Sequence, residues 1–200
     1  GNPELQPEIA TTVELGLRFA SSGFNTQFNI FSAQLEDEIN GFVFDNASGG
    51  FTADNIDGRS DRDGAEFEVS WNLSDLAINA TYSYLDATQG SGEAQSVELR
   101  RARHNASFNT SYDWSDWISS YVSASYVGSK FDQFFPPWPQ ASQIIAMRPY
   151  WLINANVNFA VSKQFSVNAK IDNVLNHTYQ DIVGYRGLER KASVSFAYKW

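Results

Sequence analysis

Hydrophobic and polar residues alternate with a period of two along most of the chain, the mark of β-strands with one apolar and one polar face. The last such run is the clearest. From Lys191 to Trp200, Ala192, Val194, Phe196, Tyr198 and Trp200 share one face, and Lys191, Ser193, Ser195, Ala197 and Lys199 the other. Upstream, Phe165, Val167, Ala169 and Ile171 oppose Ser166, Asn168, Lys170 and Asp172. Trp151, Ile153, Ala155, Val157 and Phe159 oppose Leu152, Asn154, Asn156 and Asn158. Further runs are Val13–Phe19, Phe24–Ile30, Glu66–Trp71, Leu76–Tyr84, Ala106–Tyr112 and Ile118–Tyr126. The pattern thus predicts nine strands of about 9–11 residues, the length a tilted membrane-crossing strand needs. None of the apolar faces carries Asp, Glu, Lys or Arg, each of which costs roughly 2–4 kcal/mol near a bilayer midplane.

A soluble β-sandwich alternates in the same way, but the connections argue for a barrel. Short ones near Ala20–Gly23, Ser74–Asp75, Asp113–Asp116 and Ala160–Lys163 alternate with long ones near Glu36–Asp63, Asp86–Arg100, Ser129–Pro149 and Asn173–Arg190. Short turns at one end and long loops at the other are the habit of outer-membrane barrels. Phe19, Phe24, Trp71, Tyr112, Trp114, Trp117, Phe159, Phe165 and Trp200 cluster at the short-turn end, which predicts an interfacial aromatic girdle. Nine is an odd number, and a nine-stranded sheet in lipid leaves two unpaired edges. The reading is therefore all-β: a transmembrane antiparallel segment, residues 1–200, of a larger barrel.

Composition narrows the function. Net charge is −9, from 23 acidic and 14 basic residues. An acidic chain without basic clusters is a poor nucleic-acid binder. Cysteine is absent, which excludes disulfides and thiolate metal sites. No run of 18 apolar residues is present, so no transmembrane helix is expected. We find no Gly-x-Ser-x-Gly elbow and no phosphate-cradling glycine loop. His104 and His177 stand far apart without partners at ligand spacing. No enzyme and no cofactor is expected.

Several segments resemble the TonB-dependent receptors of the bacterial outer membrane. Asn2-Pro3-Glu4-Leu5-Gln6-Pro7-Glu8 with Glu14-Leu15-Gly16 resembles the segment opening that family's late barrel strands. Asp63-Gly64-Ala65-Glu66 resembles its Gly-x-Glu strand start, and Arg100-Arg101-Ala102-Arg103-His104 the basic start of a later strand. Asp172-Asn173-Val174-Leu175-Asn176-His177-Thr178-Tyr179, then Gly184-Tyr185, resembles its Asn-Leu-Phe-Asp-x-x-Tyr segment. Leu175-Asn176 replaces the usual Phe-Asp, and Glu189 stands where glycine is common. The terminal Trp200 is similar to the assembly signal read by the barrel-assembly machinery. Within the family, Tyr84-Leu85-Asp86-Ala87, the Arg100–His104 run and Tyr126-Val127-Gly128-Ser129-Lys130-Phe131-Asp132 look most like vitamin B12 receptors, with ferric-siderophore receptors next.

The resemblance implies that these are the C-terminal strands of a barrel of about 22 strands, an active transporter in outer-membrane lipid with extracellular long loops and a periplasmic C-terminus. It also implies an N-terminal plug domain and a TonB box that contacts the TonB complex, neither of which lies in this sequence. Glu14 and Glu66 are then plug-contact candidates in the lumen, with solvated lumenal charge as the alternative. The loop aromatics Phe131, Phe134, Phe135 and Trp138, with Tyr179 and Tyr185, are candidates for stacking on cobalamin or a ferric siderophore. The stretch Asp54–Asp63 could meet Ca²⁺ but fits no EF-hand spacing. Arg100, Arg101 and Arg103 could steer an anion or anchor the strand end. A passive porin, an adhesin-type barrel and a soluble carbohydrate-binding sandwich are the competing classes.

Overall fold

The computed structural model describes residues 2–90 and 95–200, so part of the second long connection lies outside the described residues. The described strands are β1 (Ile9–Ser21), β2 (Phe24–Glu36), β3 (Ile39–Asp45), β4 (Gly50–Asn55), β5 (Arg59–Leu73), β6 (Leu76–Gln89), β7 (Ser96–Val97), β8 (His104–Ser115), β9 (Ile118–Val127), β10 (Lys130–Phe134), β11 (Gln143–Met147), β12 (Tyr150–Ala160), β13 (Phe165–Asp172), β14 (Gln180–Ile182), β15 (Tyr185–Arg186) and β16 (Lys191–Tyr198). No helix occurs among the described residues.

The nine long strands pair in the order β1-β2-β5-β6-β8-β9-β12-β13-β16, every pair antiparallel. They are the nine that alternation predicts. Several run longer than expected, β5 to 15 residues, because their far ends rise past the apolar band into polar sequence. The four short turns also fall where predicted. In the first, Gly23 has φ +72° and a β-carbon there would collide with the carbonyl oxygen of Asn72, so only glycine fits. In the fourth, the Ser162 hydroxyl accepts from the amides of Gln164 (3.2 Å) and Phe165 (3.0 Å).

The long connections hold more structure than the sequence reading gives them. Three contain their own hairpins, β3–β4, β10–β11 and β14–β15, and β7 adds to the edge of β6. These strands have two to seven residues, too few alternations to stand out from an irregular loop.

Register fixes the two faces, because directly paired residues point the same way. Leu17, Phe28, Phe67, Tyr82, Ala106, Tyr126 and Trp151 form one continuous row across seven strands. Nearer the short turns, Leu73, Leu76, Tyr112, Ser120, Val157, Ala169 and Val194 form another. Rows of the opposite sense alternate with these: Ala20, Asn25, Ser70, Asn79, Asn109, Ser123 and Asn154, then Asn72, Ala77, Ser111, Tyr121, Asn156, Lys170 and Ser193.

No second sheet covers the apolar face, and Phe196 is 69% exposed on it. The few buried residues, among them Leu35, Ala87, Ala102, Met147, Tyr150, Asp132 and Asn173, lie at the long-loop end. An apolar sheet this large and this bare requires apolar surroundings. The sandwich reading fails here, since its apolar faces would be packed against each other. From Ala65 to Leu73 the band on β5 is roughly 20–25 Å tall at about 3.3 Å rise and about 40° tilt, which matches a barrel's lipid band.

Aromatic rings border that band at both ends. At the short turns, Phe19 contacts Phe24 (centroids 6.2 Å), Phe24 meets Trp71 edge-on (6.3 Å), and Tyr112 meets Trp114 (4.7 Å). A bulge between Asp113 and Ser115 turns Trp114 so that its indole N–H donates to the Ser120 hydroxyl at 2.9 Å. At the other end, Tyr82 and Tyr84 flank His104, and Tyr126 packs on Trp151 at 4.9 Å. This second ring is not anticipated from the sequence. It gives His104 its role, since the Tyr82 hydroxyl and His104 Nδ1 share a hydrogen bond of 2.8 Å.

Candidate functional site: the long-loop end and the polar face

The polar face is a wall of amides and hydroxyls. Asn156 and Asn168 exchange side-chain hydrogen bonds of 2.8 and 3.1 Å, Thr81 and Ser107 share one of 2.7 Å, and the Tyr121 hydroxyl donates to Asn109 Oδ1 at 2.8 Å. Gln27, Asn29, Glu66, Glu68, Thr81 and Ser107 help line a trough of about 520 Å³ on this side. Glu14 and Glu66 both lie on the face. Neither has an ion-pair partner among the described residues, whereas most charges at the long-loop end are paired.

The loops are tied to each other through charged side chains. At the first connection, Arg62 at the outer end of β5 donates to Glu38 Oε1 at 2.7 Å and to Glu98 Oε2 at 2.8 Å, and Arg101 reaches Glu98 Oε1 at 2.9 Å. Burial alone would raise the Glu98 carboxyl, but the two guanidinium groups outweigh it and hold it below the usual range. The segment before β1 packs here too: Gln6 and Asn55 exchange hydrogen bonds of 2.8 and 3.0 Å.

Asp132, on β10, is fully buried. Its Oδ1 accepts from Arg100 Nε at 2.7 Å and from its neighbour Gln133 N at 2.8 Å, and its Oδ2 accepts from Val183 N at 2.8 Å. The Arg100 amide also donates to the Phe131 carbonyl at 2.7 Å. Burial works against the charge of Asp132, yet these donors hold its carboxyl below the usual range. Beside it, Lys130 Nζ lies 2.5 Å from Asp181 Oδ1, and the Tyr150 hydroxyl donates to the same oxygen at 2.9 Å. Lys130 and Tyr150 together lower the Asp181 carboxyl. The ring of Tyr150 packs on that of Tyr179 with centroids 4.7 Å apart and a tilt of 34°.

Asn173 anchors the last loop. It is buried at φ +49°, a conformation asparagine tolerates better than most residues. Its side chain donates to the carbonyls of His177 (2.9 Å) and Leu188 (3.0 Å) and accepts from His177 N (2.9 Å). That accounts for His177, whose backbone is what the loop uses.

The loop aromatics are distributed over this assembly. Phe131 faces an uncharged cleft of about 370 Å³ that it shares with Gln89, Val97, Leu99, Gln133 and Ile144. Phe134, an odd number of residues along β10, lies on the other face of the hairpin. Phe135 and Trp138 are exposed at the hairpin tip, Trp138 at 92%. Tyr179 is half-buried against Tyr150, and Tyr185 is exposed on β15. The six candidates therefore share one end of the molecule but form no single cluster. Arg100, Arg101 and Arg103 are ion-paired with Asp132, Glu98 and Asp86, which is the strand-end anchoring role. Asp61 pairs with Arg59, and no three metal-ligating side chains converge among the described residues. The Arg62 and Asp132 junctions are what the sequence reading misses; their partners lie 24 to 51 positions apart and leave no local pattern.

Comparison with known proteins follows the same lines. The model of the TonB dependent receptor-like β-barrel family matches residues 1–174. The vitamin B12 transporter BtuB of Vibrio cholerae is 26% identical over 202 aligned residues, covering 100% of this chain and 31% of that protein. Its counterpart from Photobacterium profundum is 25% identical and covered to 32%. This chain thus spans about a third of the curated relatives it matches. Among solved structures, the pyoverdine outer membrane receptor FpvA from Pseudomonas aeruginosa superposes with TM-score 0.81 at 18% identity, over 98% of this chain and 30% of that one. The ferric-catecholate import receptor Fiu of E. coli superposes at 0.76 and 20% identity, over 98% and 28%.

Proposed function

Because the chain belongs to the TonB-dependent receptor β-barrel family, whose members are outer-membrane transporters and receptors, we propose that it is the C-terminal wall of a receptor that imports a large, scarce nutrient with energy delivered through TonB. The observation that carries this is the pairing of a bare apolar face with a polar face on which Glu14 and Glu66 have no ion-pair partner among the described residues. In this reading the apolar face meets lipid. The trough faces the lumen and holds the plug domain, with Glu14 and Glu66 toward it. The long loops face outward, and Trp200 serves the assembly machinery at the periplasmic end.

Cobalamin is the ligand of this reading. Support comes from the alignment of the whole chain with vitamin B12 transporters and from the uncharged cleft at Phe131, which suits an amide-decorated ring system better than a charged chelate. The contact residues are Phe131, Phe134, Phe135, Trp138, Tyr179 and Tyr185. The test is uptake of labelled cobalamin by cells carrying the full-length receptor, with and without TonB. Uptake should vanish without TonB. Uptake that persists would make the barrel a porin, and TonB-dependent uptake of a labelled ferric siderophore with none of cobalamin would assign the other ligand class.

A further inference from the structure

Asp132 is the one fully buried carboxylate described in the loops, and three separate connections end on it. Arg100 comes from the segment between β7 and β8, Asp132 and Gln133 from the β10–β11 hairpin, and Val183 from the turn between β14 and β15. Both oxygens are used: Oδ1 holds the hairpin to the loop before it, and Oδ2 holds it to the loop after it. A second link runs parallel, through Lys130 and Tyr150 to Asp181. Phe131 and Gln133, on either side of Asp132 in the strand, form one wall of the uncharged cleft, and Leu99, next to Arg100, forms part of another.

We infer that Asp132 is a positioning residue that makes three extracellular loops a single rigid body and so sets the shape of the ligand's seat before the ligand arrives. The inference rests on the reading of these loops as the ligand-binding mouth. Its physical content is coupling. Arg100 makes no hydrogen bond to the β14–β15 turn, yet through Asp132 its removal should loosen that turn and leave it on the link from Lys130 and Tyr150 to Asp181 alone, because a buried carboxylate that loses its cationic partner no longer repays its burial. A ligand then meets loops already ordered and loses little entropy in binding them.

The test uses the full-length receptor in outer-membrane vesicles and needs no ligand for its first part. Hydrogen exchange is followed at residues 99–103 and 180–186 in the wild type, Asp132→Asn, Arg100→Gln and, as control, Glu98→Gln. Asp132→Asn and Arg100→Gln should each speed exchange in both segments by about tenfold or more, leaving the amides of β8 and β9 protected. Glu98→Gln should spare 180–186. Exchange that rises only next to the substituted residue, or stays unchanged, overturns the inference, and so does release of 180–186 by Glu98→Gln. Labelled cobalamin then provides the functional arm: both variants should dissociate it faster with a near-normal capture rate. Slower capture with an unchanged dissociation rate counts against positioning. Failure of the wild type to bind cobalamin concerns the ligand assignment alone, since the exchange arm stands without it.

Discussion

The ring of Phe31 lies over Gly64, its cross-strand partner, in the space a β-carbon would need. The same β-carbon would also stand 2.7 Å from the Tyr84 carbonyl oxygen on the other neighbouring strand. The glycine of the Asp63–Glu66 segment is thus there for packing on the polar face, with an aromatic ring covering the bared backbone. Gly64→Ala should destabilise the folded barrel by about 1–3 kcal/mol, and Gly64→Ala combined with Phe31→Ala should recover part of the loss. Urea unfolding of vesicle-reconstituted full-length protein measures both. A neutral single substitution would mean that the ring moves aside freely.

The two faces should differ sharply in what they accept. Ala124 sits in the middle of the apolar band, between Phe108 and Ile153 in register, and Ser123 lies on the opposite face next to Asn109 and Asn154. Ala124→Arg should cost roughly 2–4 kcal/mol of stability in a bilayer, whereas Ser123→Arg should cost less than about 1. Equal costs, or the reverse order, would show the faces to be assigned the wrong way round.

Asn173 should be the most sensitive position of the last loop. Asn173→Ala leaves the His177 amide and the carbonyls of His177 and Leu188 without their partner and puts a less tolerant residue at φ +49°. A local loss of about 2–3 kcal/mol is expected. Asn173→Gly keeps the backbone conformation but not the bonds and should fall between alanine and wild type. Hydrogen exchange over residues 174–190 ranks the three.

Acid should loosen the mouth before it affects the barrel. Asp132, Asp181 and Glu98 are all held below the ordinary carboxylate range. Their ionised forms stabilise the folded loops fully above the unfolded values, near pH 4, and that contribution is lost as pH falls through the lowered folded values. The loops should therefore be unchanged from pH 8 to 5 and gain mobility below about pH 4. A spin label at position 183 reports this. Loosening that sets in near pH 6 would point to a histidine and not to these carboxylates.

The exposed rings should matter to binding and not to assembly. Replacing Phe134, Phe135 and Trp138 together by alanine should weaken ligand affinity by ~2 kcal/mol or more, while gel mobility still shows a folded barrel. Affinity within about twofold of wild type would remove these rings from the contact surface.

Strands and faces were legible from the sequence because lipid enforces them residue by residue: Val167, Ala169 and Ile171 cannot exchange places with Ser166, Asn168 and Lys170 without exposing polar groups to hydrocarbon. The loops answer to no such rule. Phe131 and Phe134 look adjacent in a presumed coil, but once Lys130–Phe134 is a strand, alternation sends them to opposite sides. The ion pairs of Arg62 and Asp132 join residues whose separation is set by the sheet, so nothing near either partner announces the other. The second aromatic ring was within reach, since Tyr82, Tyr84, Tyr126 and Trp151 lie on the predicted apolar faces; only their common level required the register.

The Asn, Ser and Thr wall has a kinetic consequence. An amide or hydroxyl both donates and accepts, so a neighbouring surface sliding along it by one residue finds the same kind of partner again, or a water molecule that replaces it at little net cost. Such a wall has no deep register minimum and imposes little friction on whatever moves past it. Where motion is to be prevented, fixed charges are needed, and on this face they lie toward the two margins of the sheet, at Glu14, Arg18, Glu66 and Glu68 on β1 and β5 and at Lys170, Asp172 and Lys191 on β13 and β16. The barrel segment is thus built with gripping margins and a slipping middle.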